Sequence, residues 1–251
     1  MRDQRALSDP LQHVAKANIS TDRRHDRRAL SDEEFQRLLQ AARHGKRIEG
    51  ITGPDRVMLY ILAAWTGLRK GELGSLTQRS LHLHGTPPTV TVGACYSKRR
   101  RQDTQVLHPE LARQLSEWLA GKGHKSESEP LFRISGRVPG GVDRKTHKMI
   151  QRDLVEARRQ WLSEATTARD RLDREQSDFL CHVDRAGRYA DFHSLRHLFI
   201  TNLERAGVRP KVAQSLARHS DIRLTLDVYT HADLADQMAG IAALPGPPSG
   251  A

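Results

Sequence analysis

The chain has 251 residues, 37% of them hydrophobic, which is enough for one large domain or two small ones with a real core. Its 41 Lys and Arg residues outnumber its 30 Asp and Glu residues. The formal net charge of +11 favours a polyanionic partner such as nucleic acid, although a merely soluble basic protein would have the same balance. The two cysteines lie far apart in no metal-like spacing, and no segment has the apolar length of a membrane span or the core of a secretory signal. We therefore expect a cytoplasmic protein without a disulfide framework.

The N-terminal region predicts a linker followed by a helix. Residues 1–30 are polar and end in a basic run at residues 23–28. A solvated linker is the simpler interpretation of this run, and an element that reads DNA bases is the alternative. The first helix is predicted to begin after Ser31, because Glu34 stands three positions later as in a capping box and apolar residues follow at helical spacing.

A second helix and a small sheet come next. The helix is predicted from Pro54, which suits a first turn, to Gly67, which suits a helix end. Strand-type residues then occupy 81–84, 89–94 and 104–107, with Gly and Pro between the first two segments. These segments predict a three-stranded antiparallel sheet.

The remaining patterns are helical. Pro109 opens one predicted helix, and residues 143–176 form a long, charged helix or a broken pair. Two further helices are predicted over 191–205 and 210–217, and residues 245–251, rich in Pro and Gly, predict a disordered tail. The predicted fold class is α+β, mainly α-helical with one small three-stranded antiparallel sheet.

A cationic cluster is predicted on the helix at 191–205. His193, Arg196 and His197 are spaced three and four positions apart, so they share one helical face while apolar neighbours bury the adjoining face. Arg69 stands between a predicted helix end and the start of another helix, where backbone N–H groups favour an anion.

Two arginines suit a phosphodiester, because each guanidinium offers paired donors to the non-bridging oxygens. Those oxygens gain negative charge in the transition state of phosphoryl transfer, where each fixed donor is typically worth about 3 kcal/mol. Arg69 and Arg196 are therefore candidates for a phosphate-binding pair.

These segments resemble the tyrosine recombinase, or phage integrase, family over residues 31–244. The family pattern is an arginine in a T-G-x-R-x-x-E-L box, a lysine in a β-hairpin, an H-x-x-R box, a histidine near a helix end, and a tyrosine about ten residues later. The chain has each part in this order. The matching residues are Arg69, Lys98, His193, Arg196, His219 and Tyr229.

The resemblance implies a role for each residue. Tyr229 attacks the scissile phosphate, giving a 3′-phosphotyrosyl bond and a free 5′-hydroxyl, while Arg69 and Arg196 bind the non-bridging oxygens. The supporting roles are Lys98 as general acid for the leaving 5′-oxygen, His193 in proton transfer from the tyrosine, His219 as a hydrogen-bond partner of the phosphate, and Glu72 as the group that orients Arg69. The covalent link conserves the energy of the broken bond, so no metal, cofactor or ATP is expected.

Several of these residues have simpler interpretations. Tyr229 alone would be taken for a core tyrosine, and Lys98 lies in a run of four cations whose alternative is a solvated hairpin tip. His193 and His197 are four apart, like zinc ligands, but no HExxH glutamate or third ligand is evident. Further candidate DNA contacts are Arg99, Arg100, Arg101 and Arg218, the last at a position where many relatives have glycine.

The resemblance also sets expectations for domains and partners. Members of the family usually carry a core-binding domain before the catalytic domain. Here we expect a basic linker at 1–30, the catalytic domain at 31–244 and a tail at 245–251, with the core-binding domain absent, truncated or supplied by a partner. The implied substrate is double-stranded DNA, bound by a homotetramer on paired sites. An accessory DNA-bending protein is a further partner that the resemblance allows.

Three functions are compatible with this pattern. The first is a site-specific recombinase or integrase of a mobile element. The second is a truncated protein that binds DNA without recombining it. The third is a type IB topoisomerase, which shares the chemistry but relaxes DNA as a monomer. The H-x-x-R box and its spacing to Tyr229 favour the recombinase.

Overall fold

The computed structural model describes residues 25–97, 100–122 and 126–229, with the backbone alone at 227–229. Its elements form an α+β fold that is mainly helical with one small sheet, as predicted. The helices are α1 (Asp32–His44), α2 (Gly53–Thr66), α3 (Lys70–Leu73), α4 (Pro109–Ala120), α5 (Thr146–Ser163), α6 (Ala168–Glu175), α7 (Ser194–Arg205), α8 (Pro210–Leu216) and α9 (Arg223–Tyr229). The strands are β1 (Leu81–His82), β2 (Thr89–Val92) and β3 (Asp103–Val106). Within the described part of the chain, no helix has the length and apolarity to span a lipid bilayer.

Helix α1 begins as predicted. The Ser31 hydroxyl accepts a hydrogen bond from the backbone N–H of Glu34 at 3.1 Å, and the Glu34 carboxylate accepts one from the Ser31 N–H at 2.9 Å. This arrangement is a complete capping box. The buried face of α1, which includes Phe35 and Leu38, packs against α2 and α5 and so anchors the helical core.

Residues 25–30 are part of the folded unit, which differs from the expectation of a linker reaching residue 30. Arg27 pairs with Asp191 at 2.8 Å, and Arg28 pairs with Glu34 at 2.7 Å. These partners lie in the domain itself, so this end of the basic run is held by carboxylates and is not a solvated tether. Residues 1–24 of the expected linker lie outside the described residues.

Helix α2 ends at the predicted glycine. Gly67 has φ 60°, in the left-handed region that favours glycine, and its N–H closes the helix on the carbonyl of Ala63 at 2.9 Å. A Cβ at Gly67 would lie 2.5 Å from Cδ1 of Phe199 in α7. Glycine is therefore required twice here, for the backbone conformation and for the close packing of α2 against α7.

The three predicted strands form one antiparallel sheet in the order β1–β2–β3. Strand β2 pairs with both neighbours, with Val90 opposite Leu81 in β1 and opposite Gln105 in β3. The inward positions of β2, Val90 and Val92, are buried in the core. Gln105 in β3 donates to the carbonyl of Thr66 at 3.0 Å, so the sheet lies against the end of α2.

The charged stretch at 143–176 is the broken pair of helices, α5 and α6. Thr167 separates them and caps α6, because its hydroxyl accepts from the Asp170 N–H at 3.0 Å. The helix predicted from residue 191 begins at Ser194 instead. Asp191 precedes it and accepts from the N–H groups of His193 and Ser194 at 2.8 and 3.1 Å, so its side chain caps the first turn.

A fully buried ion pair joins α2 to α5. Arg56 and Asp153 form two hydrogen bonds, at 2.8 and 2.9 Å, and Tyr60 donates to the same carboxylate at 2.8 Å. Arg56 also donates to the backbone carbonyls of Ala42, Lys46 and Ile51. Burial and the Asp153 carboxylate raise the pKa of Tyr60 well above its ordinary value. This ion pair connects the two helices in the core, and its charges are balanced.

Candidate active site

Arg69 lies at the start of α3, as the sequence predicted. Its backbone N–H donates to Oε2 of Glu72 at 2.8 Å, and its guanidinium donates to Oε1 of the same carboxylate at 3.2 Å. The Arg69 side chain is 29% exposed, whereas that of Glu72 is buried. Glu72 therefore contacts both the backbone and the guanidinium of Arg69, and the guanidinium still reaches solvent.

Arg196 lies in the first turn of α7 and is buried. Its two terminal nitrogens donate to the carbonyls of Gly67 and Ala217. These contacts connect the end of α2, the start of α7 and the residue after α8. Burial, and then the charges of Arg69 and Arg218, lower the pKa of Arg196 to about 9, so the group remains charged at neutral pH.

Arg218 differs from the sequence expectation of a DNA contact, because its guanidinium points into the protein. Its side chain is only 7% exposed and donates to Glu72 at 3.2 Å, to the carbonyl of Gly67 at 3.4 Å, and to the side chain of Gln105. The backbone at Arg218 has φ 52°. The side chain of Arg218 thus contacts Glu72, which binds Arg69, and the carbonyl of Gly67, which binds Arg196.

His193 immediately precedes α7 and keeps an exposed surface, with its ring edge against His197 at a centroid distance of 5.7 Å. Desolvation, followed by the neighbouring His197, Arg27 and Arg196, lowers the pKa of His193 to about 4. The imidazole is neutral at physiological pH.

His219 is buried beside Thr225, with its Nδ1 2.9 Å from the Thr225 hydroxyl. Burial, and then the charges of Arg196 and Arg69, lower the pKa of His219 to about 4. A neutral His219 can donate from Nε2 to an anion when the threonine hydroxyl donates to Nδ1. With that tautomer, the proton of the neutral imidazole is on Nε2.

A basic cleft of about 580 Å³ opens between Arg69 and His193. The residues that line it are Arg69, Lys70, Gly71, Ser135, Gly136, Arg137, Asp143 and His193. Lys70 pairs with Asp143 at 2.8 Å, which leaves the side of the cleft near Arg69 and Arg137 cationic. Such a concentration of guanidinium groups favours a phosphate or another oxyanion.

The described residues therefore bring together Arg69, Glu72, His193, Arg196 and His219, which come from segments that are far apart in the sequence. Their roles stay predictions. The predicted nucleophile, Tyr229, ends α9, whose backbone packs against α7 and α8. Its side chain lies outside the described part of the structure, as do Lys98 and Arg99. Arg100 and Arg101 are described and exposed on the hairpin, and Arg101 pairs with Asp103 at 3.3 Å.

Two features of the site were missed from the sequence. Gln105 is buried in β3 and bridges Arg218 to the carbonyl of Thr66, which accepts from its amide at 3.0 Å. A polar residue at the inward position of a strand was the signal that could have found it. Arg137 lines the cleft from a loop whose sequence carries no motif.

The described residues contain no cluster of three or more His, Cys, Asp or Glu side chains arranged to hold a metal ion. His193 and His197 contact each other but have no third ligand in that part of the chain. The arginine-rich donor set suits an oxyanion and does not suit a divalent cation.

This fold is that of the catalytic domain of tyrosine recombinases. The catalytic domain of bacteriophage HP1 integrase superimposes with a TM-score of 0.51 and 16% identity over 88% of this chain and 96% of that one. The Tn1549 transposon integrase, solved in complex with transposon right end DNA, superimposes with a TM-score of 0.58 and 16% identity over 96% of this chain and 73% of that one.

The chain belongs to the phage integrase family, whose family model matches residues 28–235. Among curated proteins it is similar to the transposase from transposon Tn916 of Enterococcus faecalis, with 47% identity over 47 residues. That match covers 19% of this chain and 12% of the transposase. The chain thus shares a short, well-matched segment with a much longer relative.

Proposed function

We propose that this protein is a site-specific recombinase that cleaves and rejoins double-stranded DNA through a 3′-phosphotyrosyl bond to Tyr229. The observation that carries the proposal is the surplus of positive charge around one buried carboxylate, Glu72, next to the cleft that Arg69 lines. Arg69, Arg196 and Arg218 all interact with the same carboxylate, Glu72, so the cluster keeps a net positive charge that a phosphodiester would neutralise.

The phosphate would be gripped by Arg69 and Arg196. Arg69 reaches the cleft while Glu72 holds it, and the buried Arg196 is fixed by two backbone carbonyls, so both positive charges are in place before charge develops on the non-bridging oxygens. Preorganised donors of this kind stabilise the transition state of phosphoryl transfer. His219 adds a neutral donor beside them.

The proton transfers would involve His193 and Lys98. A neutral His193 can accept the phenolic proton of Tyr229 as the tyrosine oxygen attacks phosphorus. Bound phosphate would raise the pKa of His193, because its negative charge opposes the nearby cations that lower it. Lys98 would protonate the 5′-oxygen as the P–O bond breaks, and the reverse steps would rejoin the DNA with no external energy source.

Family membership and the two superimposed structures support DNA as the substrate, and the Tn1549 integrase was solved with transposon DNA. We extend the proposal to a catalytic domain at 31–244 that works as a homotetramer on paired sites. The proposal includes a core-binding domain or an accessory DNA-bending protein that acts together with the catalytic domain. A DNA substrate would place the protein in the cytoplasm, with the nucleoid.

A suicide-substrate assay tests the chemistry. The probe is a pool of nicked duplex oligonucleotides with randomised sequence around the nick, mixed with wild type or Tyr229→Phe in EDTA. Wild type is expected to form a covalent protein–DNA adduct on a denaturing gel, and Tyr229→Phe none. An adduct that needs a divalent metal, or that persists in the variant, contradicts the mechanism. DNA binding by both proteins with no adduct would favour the protein that only binds DNA.

A further inference from the structure

Arg218 occupies a backbone conformation that is costly for any residue except glycine. Its φ of 52° is left-handed, a region that side chains with a Cβ rarely adopt. Its guanidinium is also buried, and Nε has no hydrogen-bond partner among the described residues. Both features oppose folding, so contacts made by the other two nitrogens must offset them.

Those contacts join three parts of the site. One terminal nitrogen of Arg218 lies 3.2 Å from Oε2 of Glu72 and 3.4 Å from the carbonyl of Gly67. The other donates to Gln105 in β3. Arg218 therefore connects the carboxylate under Arg69, the end of α2 that also receives Arg196, and the sheet.

The contact with Glu72 affects Arg69 directly. Oε2 of Glu72 accepts from the Arg69 backbone and from Arg218, while Oε1 accepts from the Arg69 guanidinium. Arg218 thereby prevents the carboxylate from turning and takes up part of its negative charge. Arg69 is held in place and is less neutralised than it would be in a simple one-to-one pair.

The contact with Gln105 reaches the hairpin. Gln105 lies two residues after Asp103, which begins β3, and the Asp103 carboxylate accepts from the Ser97 hydroxyl at 2.9 Å. Ser97 immediately precedes Lys98 in the sequence. A continuous path of hydrogen bonds and strand backbone thus leads from Arg218 to the base of the loop that carries the predicted general acid.

We propose that Arg218 is a positioning residue, which fixes Glu72 under Arg69 and, through Gln105, ties strand β3 and the Ser97–Asp103 contact at the base of the hairpin to the candidate phosphate site. This inference rests on the proposed function for its consequence in catalysis, while the contacts themselves can be tested without catalysis.

The first experiment measures single-turnover cleavage and DNA affinity for Arg218→Ala and Arg218→Gly, with the suicide substrate that wild type cleaves. We expect cleavage to slow by about 10- to 100-fold, the usual effect of removing one partner of a buried charged hydrogen bond, with DNA affinity within about 2-fold. Arg218→Gly also removes the left-handed strain, so it provides a folded variant if Arg218→Ala is unstable. The control is Arg79→Ala, which removes an exposed cation paired with Glu127 and should leave cleavage unchanged.

Chemical rescue of the Arg218 variants distinguishes a positioning role of this residue from a purely structural one. Millimolar guanidinium chloride should restore part of the cleavage rate of Arg218→Gly, because the ion can occupy the vacated space between Glu72 and Gln105. Equal sodium chloride should not. Arg218→Lys should recover only part of the rate, since one ammonium group cannot serve both partners in the fork geometry of a guanidinium. Wild-type cleavage in the variants, or equal loss of affinity and rate, would overturn the proposal.

A stability cycle keeps the two proposals distinguishable. Urea midpoints are compared for wild type, Arg218→Ala, Gln105→Ala and the double variant. The double variant should lose less than the sum of the single losses, because the two residues share one contact. Additive losses would refute the link to the hairpin whether or not the protein cleaves DNA. If the cycle shows coupling but wild type forms no adduct, the proposed function fails and the contact stands.

Discussion

Two buried arginine clusters in this molecule are built in opposite ways. Arg56 meets Asp153 in a one-to-one pair, and backbone carbonyls accept from its Nη1 and also from Nη2. At the candidate site, Arg69, Arg196 and Arg218 crowd around Glu72. The first cluster is neutral and closed, whereas the second has more cation than anion.

The difference separates an arginine whose charge is fully paired inside the protein from a cluster whose surplus positive charge would suit an anionic ligand. A balanced buried pair is strongly destabilised when one partner is lost, because a lone charge remains in the core. An unbalanced cluster already contains repulsion: burial is the larger cause of the lowered pKa values of Arg196 and His219, and the charges of the neighbouring arginines lower them further. An arriving phosphate would relieve that repulsion.

The largest expected effect is on folding at the balanced pair. Asp153→Ala should lower the free energy of unfolding by about 3–5 kcal/mol, because Arg56 is left as an uncompensated buried charge and Tyr60 loses its acceptor. Urea denaturation measures this loss. Glu156→Ala, on the same helix with an exposed partner in Arg159, is the matched control and should cost less than about 1 kcal/mol. Similar losses in the two variants would contradict the comparison.

The next effect is on chemistry at the unbalanced cluster. Arg196→Ala should slow cleavage of the suicide substrate by about 100- to 1,000-fold, because one preorganised donor to the phosphate is lost. DNA affinity should largely remain. Arg205→Ala removes an exposed arginine from the same helix and serves as control. If rate and affinity fell together in Arg196→Ala, the residue would serve mainly in binding.

A smaller effect concerns pH. The folded pKa of His219, about 4, lies below the ordinary value of 6.5, so the unfolded chain binds the proton more readily. Stability should therefore fall as pH drops from about 6.5 towards 4, with about 2–3 kcal/mol due to His219. Urea midpoints of His219→Gln should decline less over this window than those of wild type. The exposed His84→Gln should follow wild type, and an unchanged slope in His219→Gln would show that its ring titrates normally in the folded protein.

The smallest expected effect is stabilisation by an anion. Sulfate should raise the melting temperature of wild type by binding the cationic cluster, with about 1 kcal/mol gained at concentrations several times its dissociation constant. Arg69→Ala should lose most of this gain, and sodium chloride at matched ionic strength corrects for screening. A gain of equal size in Arg69→Ala would mean that sulfate acts on the protein surface in general.

Local signals predicted most of the fold. The capping box at Ser31, the glycine end at Gly67 and the three strands each depend on neighbouring residues, and each was confirmed. The start of α7 was misplaced by three residues because Asp191 caps the helix with its side chain from outside. The packing of residues 25–30 was missed because their partners include Asp191, far along the chain.

The sequence also identified the candidate residues that lie together in the structure, because they stand in five family motifs that occur in the family's order. The sequence could not predict whether the Arg218 side chain points outward or into the protein. That side chain turns inward only because folding brings Glu72 and Gln105 beside it, and neither is near it in the sequence. A position beside a predicted phosphate ligand suggested surface contact, and tertiary structure decided otherwise.

The carbonyl of Gly67 accepts from both Arg196 and Arg218, one from α7 and the other from beyond α8. The proposed anion site is therefore complete only when α7 and the segment after α8, which come late in the sequence, have packed against the end of α2. A chain that is partly folded or partly unfolded would carry the proposed nucleophile, Tyr229, but would not hold Arg69 and Arg196 together to bind the phosphate. Under the proposed function, incompletely folded copies would therefore not nick DNA.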